Sequence, residues 1–299
     1  MSISESKPRF NERDSEAVVS LFQNVIRIMQ EDTKRSGSVV RLPRRGKLLA
    51  TGDLHDNPGH FATTVKLAKL SESTDHHVVL HELIHGDRLV NGLDLSYRML
   101  VKVATLIENH PGQVHMVLAN HELSQMAGHP VSKGGSDMTA NFENGLEWVF
   151  GDEWESVADA LKEFILALPL AVITDNGICC AHSLPGPSQM GRFEIDIVNR
   201  PLEKEDYTPL VGSAWMMVWG RGHTSEQMES IGEAWGISLF CLGHAFVENG
   251  IEIGGPRTIL LNTDHARATV LSLPLDEDAM SVEVAMFSAI PIAALGEVY

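Results

Sequence analysis

The chain has 299 residues, with 40 acidic against 23 basic side chains and a formal net charge of −17. Such a field repels nucleic acid and anionic membrane surfaces, so a phosphate-bearing partner needs local positive charge from metal ions or placed arginines. Hydrophobic residues at 43% and charged residues at 21% allow a sizeable core, and no stretch reaches the ~18 apolar residues of a membrane span.

Residues 1–13 are polar, without the apolar centre of a signal peptide, and read as a flexible N-terminus. Asp14 and Ser15 offer a cap, after which Val18, Leu21, Phe22, Val25, Ile26 and Met29 recur at helical spacing. Apolar runs of strand character follow at LLAT (48), HVVL (77) and VHMVLA (114), with helical patterns over 61–70 and 95–108 between them. Strands alternating with helices imply a parallel or mixed sheet. Residues 123–168 carry a loop with Gly128, Gly134 and Gly135, then a helix over SVADALKEFILAL that stops at Pro169. Further strands are expected at GICCA (177), SLFCL (238), RTILLN (257) and ATVLSL (268). With fewer helices between them, these read as antiparallel additions.

Residues 185–235 form a long insertion with Trp215 and Trp219, expected to shape substrate access. Cys179, Cys180 and Cys241 fit neither a disulfide framework nor a zinc ribbon, and are expected as buried reduced thiols of a cytoplasmic protein. The apolar run over 285–295 is interrupted by Pro291 and too short to span a membrane. One α/β domain over 14–275 and a C-terminal extension over 276–299 result.

In open α/β sheets ligands bind beyond the carboxyl ends of strands. The first strand here ends in Gly52, Asp53, Leu54 and His55; the second in HELIHGDR, with His81, Glu82, His85, Asp87 and Arg88; the third in Asn120, His121 and Glu122. The fourth ends in His182 and the fifth in Gly243 and His244. Singly, each has a plain reading: Asp-x-His as a solvated turn, Asn120 as a helix cap, His182 or His244 as a core histidine. Independent turns have no reason to place ligand-type residues at one edge five times in succession. Carboxylates, imidazoles and one amide carbonyl suit two ions of Mn²⁺, Fe or Zn²⁺, and no ligand-spaced cysteines point to a thiolate site. Two such ions ~4 Å apart clamp the attacking and leaving oxygens of a displacement and acidify bound water, so a bridging hydroxide is the expected nucleophile.

GDLH, the second-strand cluster, ANHE, AHS and LGH together resemble the calcineurin-like metallophosphoesterases, in particular their serine/threonine protein phosphatase branch. That family reads GDxHG, GDxxDRG, GNHE, HGG and a late GH, and the likeness spans residues 46–273. It implies a β-sandwich of two mixed sheets flanked by helices, a four-layer αββα fold. It further implies that Asp53 and His55 hold the first metal, that Asn120, His182 and His244 hold the second, and that His121 is the general acid protonating the leaving alkoxide. Asp87 and Arg88 resemble the Asp-Arg step in which Asp orients the catalytic His and Arg contacts phosphate. Arg221, in WGRGH, falls near the place of a further phosphate-contacting arginine.

This chain departs from the pattern in its second block, where His81 and Glu82 replace Gly-Asp, so Glu82 would have to bridge the metals. The Asp-Arg pair comes two residues late, which sets His85 against Asp87 for the orienting role and leaves His81 or His85 as alternative ligands. Asp56, Ala119 and AHSLPG also differ from the family blocks. The resemblance implies a metal-dependent phosphatase acting on a phosphorylated protein or small molecule. Alternatives are a dinucleoside polyphosphate or cyclic nucleotide hydrolase, or a pseudophosphatase that binds phosphorylated partners without turnover.

Overall fold

Asp14 starts the first helix as expected: its side chain accepts a hydrogen bond from Ala17 N at 3.1 Å, satisfying a donor that the first turn leaves open. The computed structural model describes residues 10–128, 132–133, 136–278 and 280–295; Gly134, Gly135 and the first nine residues lie outside these. After α1 (Ser15–Glu31) come β1 (Arg35–Ser36), β2 (Val39–Leu42), β3 (Lys47–Asp53), α2 (Pro58–Ala68) and β4 (His76–His81). A hairpin of β5 (Leu89–Val90) and β6 (Leu93–Asp94) leads into α3 (Tyr97–Asn109), β7 (Val114–Met116) and α4 (Asn120–Ala127). A second short hairpin, β8 (Ser132–Lys133) and β9 (Ser136–Asp137), precedes α5 (Met138–Phe150) and α6 (Trp154–Ala167). The remainder is β10 (Ala171–Thr174), β11 (Ile178–Ala181), α7 (Ser213–Trp219), α8 (Ser225–Trp235), β12 (Leu239–Leu242), β13 (Ile251–Gly255), β14 (Thr258–Leu261), β15 (Thr269–Pro274), α9 (Val282–Met286) and β16 (Ala289–Pro291).

Two mixed sheets form, one ordered β1-β2-β10-β11-β12-β14-β13 and the other β16-β15-β3-β4-β7. Their strands alternate between two cores, as side chains of period two must. Leu48 and Ala50 of β3, Ile178 and Cys180 of β11, and Ile259 and Leu261 of β14 share one buried cluster between the sheets. Leu49, Cys179 and Ala181 point the other way, into the cluster shared with the helices. Helix, sheet, sheet and helix therefore stack as four layers. All three cysteines are free and buried.

The later half of the chain is more mixed than the simple alternation of strands suggests. The expected antiparallel additions hold in part: β15 runs antiparallel to β3, β11 to β10 and β14 to β13, whereas β11, β12 and β14 run parallel to one another. The 185–235 insertion, with α7 and α8, makes the crossover from β11 to β12, and β13 returns the chain before β14. The segment after 275 belongs to the sandwich: Val282 and Ala285 are buried between the sheets and β16 pairs with β15. At the other end, Glu12 is anchored, its carbonyl accepting from Tyr97 Oη at 3.1 Å and its carboxylate lying 3.3 Å from Arg98 Nε.

Candidate active site

β3 delivers Asp53 to the corner where the two sheets meet. Gly52 N donates to Thr263 Oγ1 at 2.8 Å and Thr263 N to Asp53 O at 3.0 Å, and a bridge links Asp53 with Asn262 beyond β14 of the other sheet. The buried Asp53 carboxylate accepts from His244 N at 3.0 and 2.9 Å. This approach requires Gly243, because a Cβ there would overlap Asp53 Oδ1. His55 follows, its Nδ1 3.2 Å from Ile84 O. That contact makes Nδ1 the donor and turns the Nε2 lone pair toward Glu82 Oε2, 3.4 Å away.

Glu82 stands in the loop after β4. The backbone N–H of His121, in the first turn of α4, donates to Glu82 Oε1 at 3.2 Å, an unpaired helix-end donor meeting a carboxylate. Glu82 Oε2 lies 3.9 Å from His182 Nε2. That same nitrogen is 2.6 Å from Asn120 Oδ1 and 3.1 Å from His244 Nδ1, and His182 Nδ1 is 3.4 Å from Asp53 Oδ1. One ring nitrogen carries at most one hydrogen and cannot satisfy an amide oxygen, an imidazole and a carboxylate together. A divalent cation can, and the donor chemistry of carboxylate, imidazole and amide oxygen fits one. Ligand atoms of Asp53, Glu82 and His182 lie within 4.8 Å of one another.

The environment separates the two carboxylates. Burial raises the Asp53 pKa, but His182 and His55 together with the His244 N–H outweigh it and hold the group well below the usual carboxylate range. Burial, followed by the charges of Asp53 and Glu122, pushes Glu82 well above it. Burial, reinforced by neighbouring imidazoles, lowers His81 to about 3 and His121 and His244 to about 2. Neutral imidazole is the form that ligates. Among the described residues eight non-glycine positions have positive φ, and five of these stand at this edge: His55, Asp56, Glu82, His85 and His244. Backbone strain so concentrated marks a site that the surrounding fold holds in place.

Residues 46–247 match the calcineurin-like phosphoesterase family. The chain belongs to that family. It is therefore a phosphoesterase, and the family implies divalent metals. No curated protein matches the chain. Among solved structures, a protein serine/threonine phosphatase from Saccharomyces cerevisiae, described as similar to human phosphatase PP5, superposes with a TM-score of 0.61 at 15% identity, over 87% of this chain and 82% of that one. A mutant cold-active protein tyrosine phosphatase gives 0.51 at 13% identity, over 79% and 77%. Both likenesses are of fold alone. Among the described residues no helix is long and apolar enough to cross a membrane.

The phosphoesterase fold brings Asp53, His55, Glu82, Asn120, His121, His182 and His244 to one place. Asn120 does not cap α4; that position is Ala119. Arg221 reaches the rim, its Nη1 donating to His244 O at 2.8 Å, and beside it opens a cavity of about 340 Å³ lined by Ser183, His223, His244 and Phe246. Arg88, its side chain 61% exposed, donates to Asp56 O at 3.2 Å. Asp87 is exposed, whereas His85 is buried with its ring centroid 5.4 Å from that of His121. The backbone turns at His85 (φ 59) and carries Asp87 outward, which leaves His85 as the residue of this loop packed on His121. Buried His81 has no hydrogen-bond partner on either ring nitrogen and stands outside the Asp53, Glu82 and His182 group.

Sequence reasoning placed Glu122 at the third strand end but gave it no role; its Oε1 accepts from Leu83 N at 2.8 Å and Ile84 N at 3.3 Å and so fixes the loop carrying Glu82. Its place directly after Asn120 and His121 was a usable signal. Asp94 and Ser96, which hold His85, left none.

Proposed function

We propose that the protein hydrolyses phosphomonoesters, on a phosphorylated protein or small molecule, using two divalent cations. Asp53, His55 and Glu82 would hold one, and Glu82, Asn120, His182 and His244 the other. The observation that carries this reading is the position of Glu82 Oε2, 3.4 Å from His55 Nε2 and 3.9 Å from His182 Nε2, between the two ligand groups. Bound cations would supply positive charge to the phosphoryl oxygens and acidify water. His121 is the group to protonate the leaving oxygen: its Nε2 faces the site, 3.8 Å from Glu82 Oε1, and a phosphate dianion beside it raises its affinity for a proton. Arg88 and Arg221 at the rim present planar forks to phosphate oxygens, offsetting locally the charge of −17. Position favours turnover over a binding-only role, since Glu82 reaches both groups despite its extra methylene.

Purified protein supplied with Mn²⁺ should hydrolyse p-nitrophenyl phosphate and release little product from bis(p-nitrophenyl) phosphate. Asp53→Asn and Glu82→Gln should abolish the activity and reduce metal content from near two ions per chain. Activity that survives loss of Asp53 overturns the reading; diester activity above monoester activity moves it to the cyclic nucleotide or polyphosphate class.

A further inference from the structure

His85 lies three residues after Glu82, the spacing that separates the two aspartates of GDxxDRG. It is fully buried. Its ring packs against His121, with centroids 5.4 Å apart, and against the edge of Phe142 at 5.7 Å. Behind it stands Asp94, also buried, whose Oδ2 is 2.8 Å from His85 Nδ1. Three bonds close a ring around the pair: His85 N donates to Ser96 Oγ at 3.2 Å, Ser96 N donates to Asp94 Oδ1 at 2.8 Å, and His85 Nδ1 donates to Asp94 Oδ2. An ionised carboxylate only accepts, so Asp94 fixes the hydrogen on Nδ1 and leaves Nε2 a bare lone pair. That Nε2 is buried with no partner, and so is His121 Nδ1 on the ring packed against it. Two complementary, unsatisfied nitrogens on touching rings are an unusual pair to leave unjoined in an interior.

We propose that His85, locked by Asp94, is the positioning residue of His121: His85 Nε2 accepts from His121 Nδ1–H and so holds His121 Nε2 toward the reacting group. This rests on the phosphatase reading above, but replaces a direct carboxylate–histidine contact by a carboxylate–histidine–histidine series. The reach that an aspartate lacks is supplied by a ring, and the negative charge moves one residue back, away from Glu82 and Asp53. A purely structural role for His85 would use its Nδ1 alone and would leave both Nε2 and His121 Nδ1 buried without partners.

The test measures kcat and KM for p-nitrophenyl phosphate, whose leaving group departs without protonation, and for phosphoserine, whose alkoxide needs it. His85→Ala and the isosteric Asp94→Asn should lower kcat on phosphoserine by about 10- to 100-fold, lower it much less on p-nitrophenyl phosphate, and leave KM and metal content unchanged. His85→Asp should restore part of the phosphoserine rate. In proton spectra, the downfield His85 Nδ1–H resonance should vanish in Asp94→Asn. Equal losses on both substrates, or loss of metal, would make the pair structural and overturn the proposal; so would an unchanged kcat on phosphoserine. If His85→Ala does not fold, Asp94→Asn decides. A wild-type protein without phosphatase activity is a different failure, that of the function itself.

Discussion

Glu82 reaches the centre of the site only because its backbone takes a left-handed conformation, φ 37, while Leu83 and Ile84 are tied to Glu122. The strain costs on the order of 1–3 kcal/mol, and Glu122 helps hold it. Glu82→Asp, one methylene shorter, should therefore weaken the site although it restores the family's residue type. Metal analysis should show occupancy reduced by about 10- to 100-fold in affinity; wild-type loading would mean the loop follows the side chain. A second prediction concerns His77 and His115, remote from the site, whose Nδ1 and Nε2 lie 3.3 Å apart. Burial, with Lys34 nearby, lowers His77 to about 4, and burial and His77 hold His115 well below the usual imidazole range. Below about pH 6.5 the unfolded chain takes up protons that these folded rings refuse. Stability present above that pH is then lost as pH falls toward 4, by about 1.4 kcal/mol per unit for each ring. Thermal melts from pH 7.5 to 4.5 should decline, and less steeply in His77→Gln/His115→Gln.

Elements differ in how plainly the sequence announces them. All seven expected strands exist, since each is an apolar run that can be buried on both faces. Of the strands it left unannounced, β13 has an exposed pattern at a sheet edge and β16 is three residues ending in proline. α5 was hidden by Asn141, Asn144 and Gly145, poor helix formers. Gly145 is needed because a Cβ would overlap Asp94 O. The candidate ligand residues share one edge because strands deliver them there in order, whereas Asp94 arrives from a two-residue strand and meets His85 only in three dimensions. Where the pattern was strongest, packing follows it: α1 and α6 meet through Phe22 and Phe164, with ring centroids 5.0 Å apart. Phe164→Ala should cost about 3–5 kcal/mol in denaturant unfolding and leave kcat per folded molecule unchanged. A loss under 1 kcal/mol would mean that this helix pair is not part of the cooperative core.

The molecule as a whole works against its own substrate class at a distance. With a charge of −17, the long-range field repels a phosphate dianion, and the proposed cations and rim arginines would have to draw it in at short range. Raising ionic strength from about 0.01 to 0.15 M shortens the screening length from roughly 30 to 8 Å, so kcat/KM should rise with salt. A fall would show that Arg88 and Arg221 dominate the approach. The seam at Asp53 has a different consequence. Asp53, His55, Glu82 and Asn120 hang from the β3-β4-β7 side, and His182 and His244 from β11 and β12 of the other sheet. The two sheets otherwise meet through apolar side chains, which resist separation but have no directional grip against sliding. In the proposed two-metal centre, ligands drawn from both sides would act as a rivet through the sandwich, so shear between the layers would be felt first as a change of chemistry.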